Sequence, residues 1–512
     1  RVWRETVVKT AKVLLITPNI KGMSEGINRV QPGLGIGYLG AVLREAGHEV
    51  HIRDTGLEGY HIKKRLDERM VIIGEPDEAI AAHISNLSPD VVGVSALFSN
   101  MMGHAHAIAR IAKRVNPDIL TVIGGNHVNN SARDYQFAVD NPGAGIPREF
   151  VDMQDGNIDF AFRGEAEYQF LEFVNRFANG EELAGIPGLI YRRNGLLSIN
   201  PPSPHIKDLN SLPIPARDLM NMEGYFNIGL FHSSKPRSRR VLNVMASRGC
   251  PEECTFCTTP QVWGQKVRWR NPTSIYQEIK EGIETYGIGE VQFEDDTLTA
   301  HTDNLVELCD LIEPLGIPWC TPNGIRLDYH QTGNKQHETY KRMAGAGCYQ
   351  VTLGCESGVQ RVLDDIIHKN FRLEQIRPSV DSAKKAGLLV HTFWVVGFPG
   401  ETREEMERTI SFAAQIGADS YSVAILSPLP GTQIYHQVMR ENLWWDGKRV
   451  VDDILYRNSL IKVDGFNSAQ EFELWVDESN LKLNELSRKR DPERFKSHYK
   501  DNTSARFLLK QT

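Results

Sequence analysis

Short runs of apolar and β-branched residues alternate with amphipathic stretches over most of the chain. In the first third, these runs lie at 13–17, 49–54, 91–96, 121–125 and 158–162. Helical stretches separate them, and this alternation is typical of a parallel sheet covered by helices on both faces. We therefore predict a doubly wound, Rossmann-like α/β domain over residues 1–186.

A second alternation begins at residue 241, after a proline-rich connector. Its predicted strands lie at 241–246, 290–293, 318–321, 350–353, 390–396 and 420–426. Six β/α units are more typical of a partial barrel than of a flat sheet. We predict a linker over 187–240 and a partial (β/α)6 TIM-like barrel over 241–435. A small helical region follows over 436–512, where the apolar residues of 469–489 approximate helical spacing.

The composition excludes several classes of protein. Of the 512 residues, 41% are hydrophobic and 24% are charged, as in ordinary folded domains. The net charge of −7 comes without a long basic run, so we expect no nucleic-acid partner. No apolar run approaches the roughly 20 residues that a membrane span needs. The first residues also lack the apolar segment of a secretion signal, so we expect a cytoplasmic protein that does not bind membranes.

Three of the seven cysteines crowd into one loop after the first predicted barrel strand: Cys250, Cys254 and Cys257. A closed zinc site needs four ligands, and the next cysteine, Cys309, lies 52 residues away. A [4Fe–4S] cluster usually takes four thiolates, so three of them leave one iron free to bind a small chelating molecule. The spacing favours such an open iron–sulfur cluster, with zinc as the alternative.

The loop sequence 247–257, Ser-Arg-Gly-Cys-Pro-Glu-Glu-Cys-Thr-Phe-Cys, resembles the cluster loop of the radical S-adenosylmethionine (radical SAM) superfamily. Later segments resemble the strand-end motifs of the same superfamily, namely 293–296, 354–358, 395–401 and 428–432. Each motif falls where a predicted strand ends, and β/α barrels place their sites there. The resemblance implies that SAM binds the free iron through its amino and carboxylate groups.

Individual site residues follow from this resemblance. It implies that Asp295 addresses the amino group of SAM, that Glu356 and Ser357 address the ribose, and that the backbone of Phe256 lies along the adenine. Taken singly, each residue also fits a structural role, since an aspartate can cap a helix and a phenylalanine can pack in a core. Cys355, inside the ribose motif, is a candidate catalytic thiol, with a buried packing role as the alternative.

The N-terminal domain resembles the cobalamin-binding domain that precedes the barrel in one large radical SAM subgroup. Residues 31–54, 124–127 and 163–167 carry this resemblance. Ligands of doubly wound sheets bind at the carboxyl ends of strands, so we predict that Ser95, Gly124, Gly125 and His127 line a cobalamin site. None of the 16 histidines stands in an Asp-x-His-x-x-Gly frame. His127 is therefore expected to line or cap the site and not to bind cobalt.

Together the resemblances imply a cobalamin-dependent radical SAM methyltransferase that acts on a small molecule. An unactivated sp³ C–H bond offers no nucleophile for polar methyl transfer, so the cofactors must carry the difficult chemistry. One SAM would methylate cobalt, a second would yield a 5′-deoxyadenosyl radical, and a donor such as flavodoxin or ferredoxin would supply electrons. Natural products are the expected substrates, which implies a role in antibiotic biosynthesis.

The substrate itself is less clearly indicated. Basic residues within 235–240 and 266–270 could clamp a phosphate or phosphonate, or they could form a solvated face. A ring-forming or rearranging enzyme with the same cofactors would share every motif. A methylthiotransferase would need a second cluster, and the sequence has no second group of three cysteines. A non-catalytic iron–sulfur scaffold or sensor is the alternative from a different class.

Overall fold

Two large sheets built mainly from parallel strands form the framework of the protein. The computed structural model describes residues 9–24, 27–142, 153, 156–233, 235–327, 334–445 and 457–498. The predicted fold class is confirmed, because a doubly wound α/β domain precedes a six-stranded parallel sheet, and helices follow at the C-terminus. No helix within these ranges is long and apolar enough to cross a bilayer.

The N-terminal domain alternates strands and helices as predicted. Its strands are β1 (Lys12–Thr17), β2 (Ile20–Met23), β3 (Glu49–Asp54), β4 (Lys63–Arg65), β5 (Met70–Ile73), β6 (Val91–Ser95), β7 (Leu120–Gly124), β8 (Phe160–Phe162), β9 (Leu189–Arg193) and β10 (Leu196–Ile199). Its helices are α1 (Leu34–Glu45), α2 (Thr55–Glu58), α3 (Asp77–Leu87), α4 (Met102–Val115), α5 (Asn126–Asp140), α6 (Glu167–Asn179) and α7 (Met222–Ile228).

The order of the strands locates the ligand-binding edge of this domain. Seven strands form one sheet in the order β10-β9-β8-β7-β6-β1-β3, while β2, β5 and β4 form a separate antiparallel sheet. Strand β1 pairs in parallel with β3 on one side and with β6 on the other. The chain therefore adds strands on one side of β1 first and on the other side afterwards, so the topological switch point lies between β1 and β6. Such switch points open a crevice at the carboxyl ends of the strands.

The predicted linker contains structure that the sequence pattern did not indicate. Strands β9 and β10 lie within 187–240 and pair with each other in antiparallel fashion, and β9 also pairs with β8. The first sheet therefore continues past residue 186, and the domain boundaries themselves stay a prediction.

The barrel follows with six parallel strands and the hairpin that carries the cysteine loop. Its strands are β11 (Val241–Val244), β12 (Ser247–Arg248), β13 (Arg268–Trp269), β14 (Glu290–Phe293), β15 (Trp319–Ile325), β16 (Cys348–Glu356), β17 (Leu389–Val396) and β18 (Ser420–Ile425). Its helices are α8 (Thr259–Trp263), α9 (Pro272–Tyr286), α10 (Thr302–Ile312), α11 (Asn334–Gly345), α12 (Ile376–Lys385), α13 (Arg403–Gln415) and α14 (Gln433–Glu441), with a π-helix at Val362–Ile367. The C-terminal helices are α15 (Ala469–Arg490) and α16 (Pro492–His498).

The barrel sheet has the strand order β11-β14-β15-β16-β17-β18 and two open edges. On β14, Val291 and Phe293 are fully buried in the apolar core under the helices. The alternate residues Glu290 and Gln292 point to the opposite, concave face, because successive side chains of a strand alternate. We call this polar concave face the lumen.

Helix α15 closes the β18 edge with asparagine side chains. The Asn480 amide pairs with the backbone N–H and C=O of Val423 at 2.8 and 2.8 Å, and the Asn484 amide pairs with those of Tyr421 at 3.0 and 2.9 Å. Four helical residues rise about 6 Å and two strand residues rise about 6.6 Å, so the spacings match. These amides take the place of a neighbouring strand at the open edge.

The Asn480→Ala substitution should therefore destabilise the protein by about 2–6 kcal/mol. It leaves one buried N–H and one buried C=O of Val423 without partners, at about 1–3 kcal/mol for each group. The urea midpoint of unfolding measures the change. The exposed Lys482→Ala on the same helix is the control and should stay within about 0.5 kcal/mol of the wild type. Equal midpoints for the two variants would contradict the pairing.

Candidate active site

The three-cysteine loop runs between β12 and α8 and is anchored at several points. Cys250 N–H donates to Gly264 C=O at 3.1 Å, and Cys257 N–H donates to Cys254 C=O at 3.0 Å. Gly249, which precedes the first cysteine, has φ of +108°, and a Cβ there would lie 2.5 Å from Lys266 O. Only glycine fits at this turn, because the backbone of the returning strand approaches so closely.

The middle of the loop is tied to two later barrel segments. Thr255 donates its N–H to Ile367 C=O at 3.0 Å and its hydroxyl to Ile366 C=O at 2.6 Å. Its own C=O accepts from Ile434 N–H at 3.2 Å, at the start of α14. The loop is thus fixed to the π-helix after the fourth barrel strand and to the helix after the sixth.

The three thiols lie together in a partly buried place. Burial raises the pKa of Cys250 and of Cys254 to about 12 and also raises the pKa of Cys257. Each thiol must therefore release a proton when it binds iron. Among the residues with described side chains, no three His, Cys, Asp or Glu side chains converge on one metal ion. A cubane cluster presents a separate iron to each thiolate, so its ligands need not converge on one point.

The two adjacent carboxylates after β14 have different surroundings. Asp295 is buried, and its oxygens accept from Ala246 N–H at 3.0 Å and from the N–H and hydroxyl of Ser247, both at 2.5 Å. Among the described residues, Asp296 accepts only from the Thr259 hydroxyl, at 3.0 Å, and it acts electrostatically on Cys250 and Cys257. Burial raises the pKa of Asp295 to about 7 and that of Asp296 to about 6. Asp295 thus holds the start of the cysteine loop, and its predicted contact with SAM stays a prediction.

Glu356 ends β16 in the left-handed region, with φ of +61°. Its carboxylate accepts from Lys369 Nζ at 2.6 Å, and the same Nζ donates to Gly354 C=O at 2.9 Å. Although burial disfavours the charged form, Glu356 and the nearby Cys254 thiol raise the pKa of Lys369 to about 12. A buried ammonium and a carboxylate therefore lie beside the cysteine loop.

Ser357 and Cys355 are packed more deeply than the sequence suggested. The Ser357 hydroxyl lies 3.2 Å from the Thr409 hydroxyl and accepts from Val359 N–H at 3.2 Å. The Cys355 side chain is fully buried in the apolar core, and burial raises the pKa of its thiol. These placements favour structural roles for both side chains, and the catalytic role of Cys355 stays a prediction without support from its surroundings.

Phe256 lies beside the motif that follows β17. Its ring centroid is 5.6 Å from that of Phe398 in an edge-to-face arrangement. Glu401 accepts from Gly397 N–H at 2.8 Å and from Phe398 N–H at 3.1 Å, which holds this turn in place. The structure therefore places Phe256, which the resemblance assigned to the adenine, against the strand-end motif at 395–401.

The crevice of the N-terminal sheet has the features of a ligand site. Gly125 has φ of +110°, and a Cβ there would lie 2.5 Å from Ala96 O, whereas a Cβ on Gly124 would meet only one atom, at 4.0 Å. Ser95 is half-buried at the end of β6. Four buried side-chain oxygens that follow β1 and β6 or belong to α5 have no hydrogen-bond partner among the described residues, namely those of Asn19, Asn100, Asn126 and Asn130. Such amides need a polar partner, and a large amide-rich ligand can supply one.

His127 is held by hydroxyls on both sides of its ring. Its Nδ1 lies 2.8 Å from Ser99 Oγ and its Nε2 lies 3.0 Å from Ser131 Oγ. The side chain is buried. Because both ring nitrogens are engaged, the arrangement agrees with a residue that shapes the site and does not bind cobalt.

Helix α5 brings the crevice against the cysteine loop. Asn126 Nδ2 lies 3.4 Å from Thr258 Oγ1, one residue after Cys257. Farther along, Asp134 Oδ1 lies 2.9 Å from His436 Nε2, and the Phe137 ring stacks on that imidazole at 4.1 Å. The first turn of α5 therefore contacts both predicted cofactor sites.

Two family descriptions match the chain. The B12 binding domain matches residues 27–151, and the radical SAM superfamily matches residues 244–413. The cytidylyl-2-hydroxyethylphosphonate methyltransferase of Streptomyces wedmorensis is 32% identical over 500 residues, which cover 92% of this chain and 89% of the relative. The chain belongs to the cobalamin-dependent radical SAM methyltransferases.

Solved structures share the fold of this methyltransferase. The cobalamin-dependent radical enzyme OxsB, with aqua-cobalamin bound, matches with a TM-score of 0.68 at 15% identity, over 96% of this chain and 72% of that one. The methyltransferase TsrM of Kitasatospora setae matches with a TM-score of 0.63 at 18% identity, over 83% and 76%. The predicted cofactors are confirmed as a [4Fe–4S] cluster, SAM and cobalamin.

The methyltransferase joins its domains through buried ion pairs that sequence reasoning missed. Arg248 Nη2 lies 2.7 Å from Glu167 Oε1, and Arg268 donates to Glu165 at 3.0 Å. The Glu165 side chain is fully buried. The sequence resemblance places residues 163–167 in the cobalamin domain. In the structure, the carboxylates of Glu165 and Glu167 also bind the hairpin that carries the cysteine loop. Lys369 was also missed, because it does not stand out from neighbouring charged residues in the sequence. Asp296 lies within the 293–296 motif, but the sequence pattern gives it no role separate from that of Asp295.

Three of the basic residues that the sequence offered as an anion clamp are paired with carboxylates instead. Arg240 pairs with Glu223 at 2.6 Å on the protein surface. Arg270 pairs with the fully buried Glu278 at 2.5 Å, and Arg268 pairs with Glu165. These guanidiniums already have carboxylate partners, and Arg240 also lies before β11, at the end of the sheet away from the cysteine loop.

The Glu165→Gln substitution should weaken the docking of the two domains. It leaves the buried Arg268 without a carboxylate, and breaking a buried pair costs about 3–5 kcal/mol. We expect faster limited proteolysis between the domains and a lower urea midpoint. Glu172→Gln, which removes a partner of Arg176 in a more exposed ion pair on α6, is the control and should change stability by under about 1 kcal/mol. Unchanged proteolysis of Glu165→Gln would contradict a docking role.

Proposed function

We propose that this methyltransferase transfers a methyl group to an unactivated sp³ carbon of a small anionic natural product, with a hydroxyalkylphosphonate ester as the substrate class. The observation that carries the proposal is the contact of the amide-lined crevice with the three-thiol loop across α5. A substrate carbon bound between the crevice and the three-thiol loop can therefore contact both cofactors. The similarity to a phosphonate methyltransferase over nearly the whole chain supports the substrate class and a role in antibiotic biosynthesis.

We assign the cluster to Cys250, Cys254 and Cys257. Of the adjacent carboxylates, Asp296 is the acceptor for the SAM amino group, and Asp295 positions the loop by its bonds to Ala246 and Ser247. Asp296 suits this role because it lies near the thiols and accepts one hydrogen bond from the part of the chain that the structure describes. A carboxylate that accepts from an ammonium gives a strong, charge-assisted bond.

Further residues complete the SAM site in this proposal. Glu356 accepts from the ribose hydroxyls, with Lys369 holding its carboxylate in place. Phe256 lies along the adenine, beside Phe398. Ser357 shapes the turn after β16 through its hydroxyl contacts.

On the cobalamin side, Ser95, Gly124 and Gly125 line the crevice, and His127 holds its wall through Ser99 and Ser131. When bound, the cluster with SAM supplies a radical that removes a hydrogen atom, and cobalamin supplies the methyl group. The chain binds the substrate between the two and excludes water. An external one-electron donor such as flavodoxin or ferredoxin is part of the proposal.

Anaerobic reconstitution followed by turnover tests the proposal. The loaded enzyme receives a reductant, SAM with a deuterated methyl group, and cytidylylated 2-hydroxyethylphosphonate. We expect a labelled methylated product together with 5′-deoxyadenosine and S-adenosylhomocysteine, all measured by mass spectrometry. A cyclised or rearranged product without the label would identify the ring-forming alternative. A reducible cluster that never cleaves SAM would identify a non-catalytic scaffold.

Cysteine variants test the assignment of the cluster. Cys254→Ala should lose most of its iron and all detectable 5′-deoxyadenosine, because one of three thiolates is missing. Iron and sulfide content and the visible spectrum measure the loss. Cys309→Ser, which changes a buried cysteine on α10, is the control and should retain the cluster. A Cys254→Ala protein with full iron content would contradict the assignment.

The two aspartates should respond differently to removal of their charge. Asp296→Asn should keep its iron but bind SAM about 10-fold more weakly or worse, because a hydrogen bond to a charged group is lost. Asp295→Asn should lose iron instead, because the N–H groups of Ala246 and Ser247 bind different carboxylate oxygens, and the amide replaces one of these acceptors with an NH2 donor. Iron analysis and equilibrium dialysis of SAM measure these effects. The reverse pattern would return the SAM contact to Asp295.

A further inference from the structure

A histidine and a glutamate pair at the rim of the barrel lumen. His232 lies in the segment that leads into β11, and Glu294 directly follows β14. His232 Nδ1 lies 2.7 Å from Glu294 Oε2. The Glu294 side chain is nine-tenths buried, and that of His232 is 28% exposed.

One carboxylate oxygen of Glu294 is left without a hydrogen bond to the described residues when the other contacts His232. An ionised carboxylate only accepts, so Nδ1 of His232 carries the shared proton and Nε2 faces away from Glu294. The second oxygen of Glu294, Oε1, is buried and has no hydrogen-bond partner within the described ranges. A buried acceptor without a donor costs free energy, so such groups call for an explanation.

The direction of Glu294 places it on the lumen side. Gln292, two residues earlier on β14, points into the lumen, where its Oε1 accepts from Ser233 N–H at 3.0 Å. Glu294 lies on the same face because side chains two residues apart point the same way. Two residues further, Asp296 lies near the cluster thiols. The pair is thus at the end of the lumen where the radical chemistry takes place.

The pair is also next to a place that solvent reaches. A register irregularity in β15 between Thr321 and Ile325 turns Asn323 outward, and this side chain is exposed although it belongs to a central strand. Asn323 Nδ2 donates to Glu294 C=O at 3.2 Å. The exposed Asn323 side chain therefore contacts the Glu294 backbone at the mouth of the barrel.

We propose that Glu294, oriented by His232, binds a hydroxyl group of the substrate on or beside the carbon that is methylated. This inference rests on the proposed function. The free oxygen of Glu294 accepts a hydrogen bond from the hydroxyl, which a phosphonate anion cannot donate and an apolar group cannot replace. His232 holds the carboxylate in one orientation. A fixed hydroxyl turns one hydrogen of its carbon toward the radical source, so the pair positions the substrate.

Two variants and two substrates test the pair. Glu294→Gln and His232→Gln are each loaded with cofactors and compared with the wild type on the 2-hydroxyethylphosphonate ester and on its ethylphosphonate analogue without the hydroxyl. We expect the Kd and KM of the hydroxylated substrate to rise about 10- to 100-fold in Glu294→Gln, as for a lost bond to a charged group. His232→Gln should show a smaller rise in the same direction.

The analogue separates a specific contact from general damage to the site. Its affinity should be weak in the wild type and should change by no more than about twofold in either variant. The exposed Glu284→Gln on α9 is the matched control and should leave both substrates unaffected. The cluster spectrum and circular dichroism report whether each variant has folded, and His232→Gln provides the test if Glu294→Gln does not fold.

The outcomes distinguish this inference from the proposed function. If the wild type methylates the hydroxylated ester and both folded variants bind it equally well, the pair does not bind the hydroxyl while the proposed function stands. Equal losses on both substrates would also overturn the inference, because they indicate a structural role. If the wild type neither binds nor methylates any hydroxyalkylphosphonate, the proposed function fails and the inference fails with it.

Discussion

Buried ion pairs between the two domains are the interaction on which the site depends. Two cofactors held by different domains must reach one carbon, so the domains need a fixed mutual position. Arg248 and Arg268 of the cysteine-loop hairpin meet Glu165 and Glu167 of the N-terminal domain in a buried place. Desolvation of these charges offsets much of their attraction, so the pairs add specificity of orientation more than stability.

The sequence predicted the fold wherever burial produces a simple period. Each predicted strand coincides with an observed one to within a few residues. The prediction failed where polar contacts, and not a buried apolar pattern, hold an element in place. Strands β9 and β10 lie in a proline-rich, partly exposed stretch. The contacts of α15 with β18 depend on Asn480 and Asn484, which an apolar pattern cannot reveal.

The sequence predicts where the candidate site lies better than it predicts the surroundings of each side chain in the site. The motifs fall at strand ends beside the cysteine loop, as expected for a β/α barrel. Neighbouring residues of a motif nevertheless have different surroundings, and no spacing rule tells which of them faces the cavity. Asp295 binds the backbone while Asp296 faces the thiols. Cys355 enters the core while Glu356 meets Lys369.

The asparagine contacts on β18 also limit which insertions and deletions helix α15 can tolerate. A helix turns by about 100° for each residue, so one inserted or deleted residue between Asn480 and Asn484 would rotate one amide off the sheet. The bared backbone of β18 could then recruit an extended segment from another molecule and start aggregation. Length changes in this part of the chain are therefore far less tolerable than substitutions on its outer side.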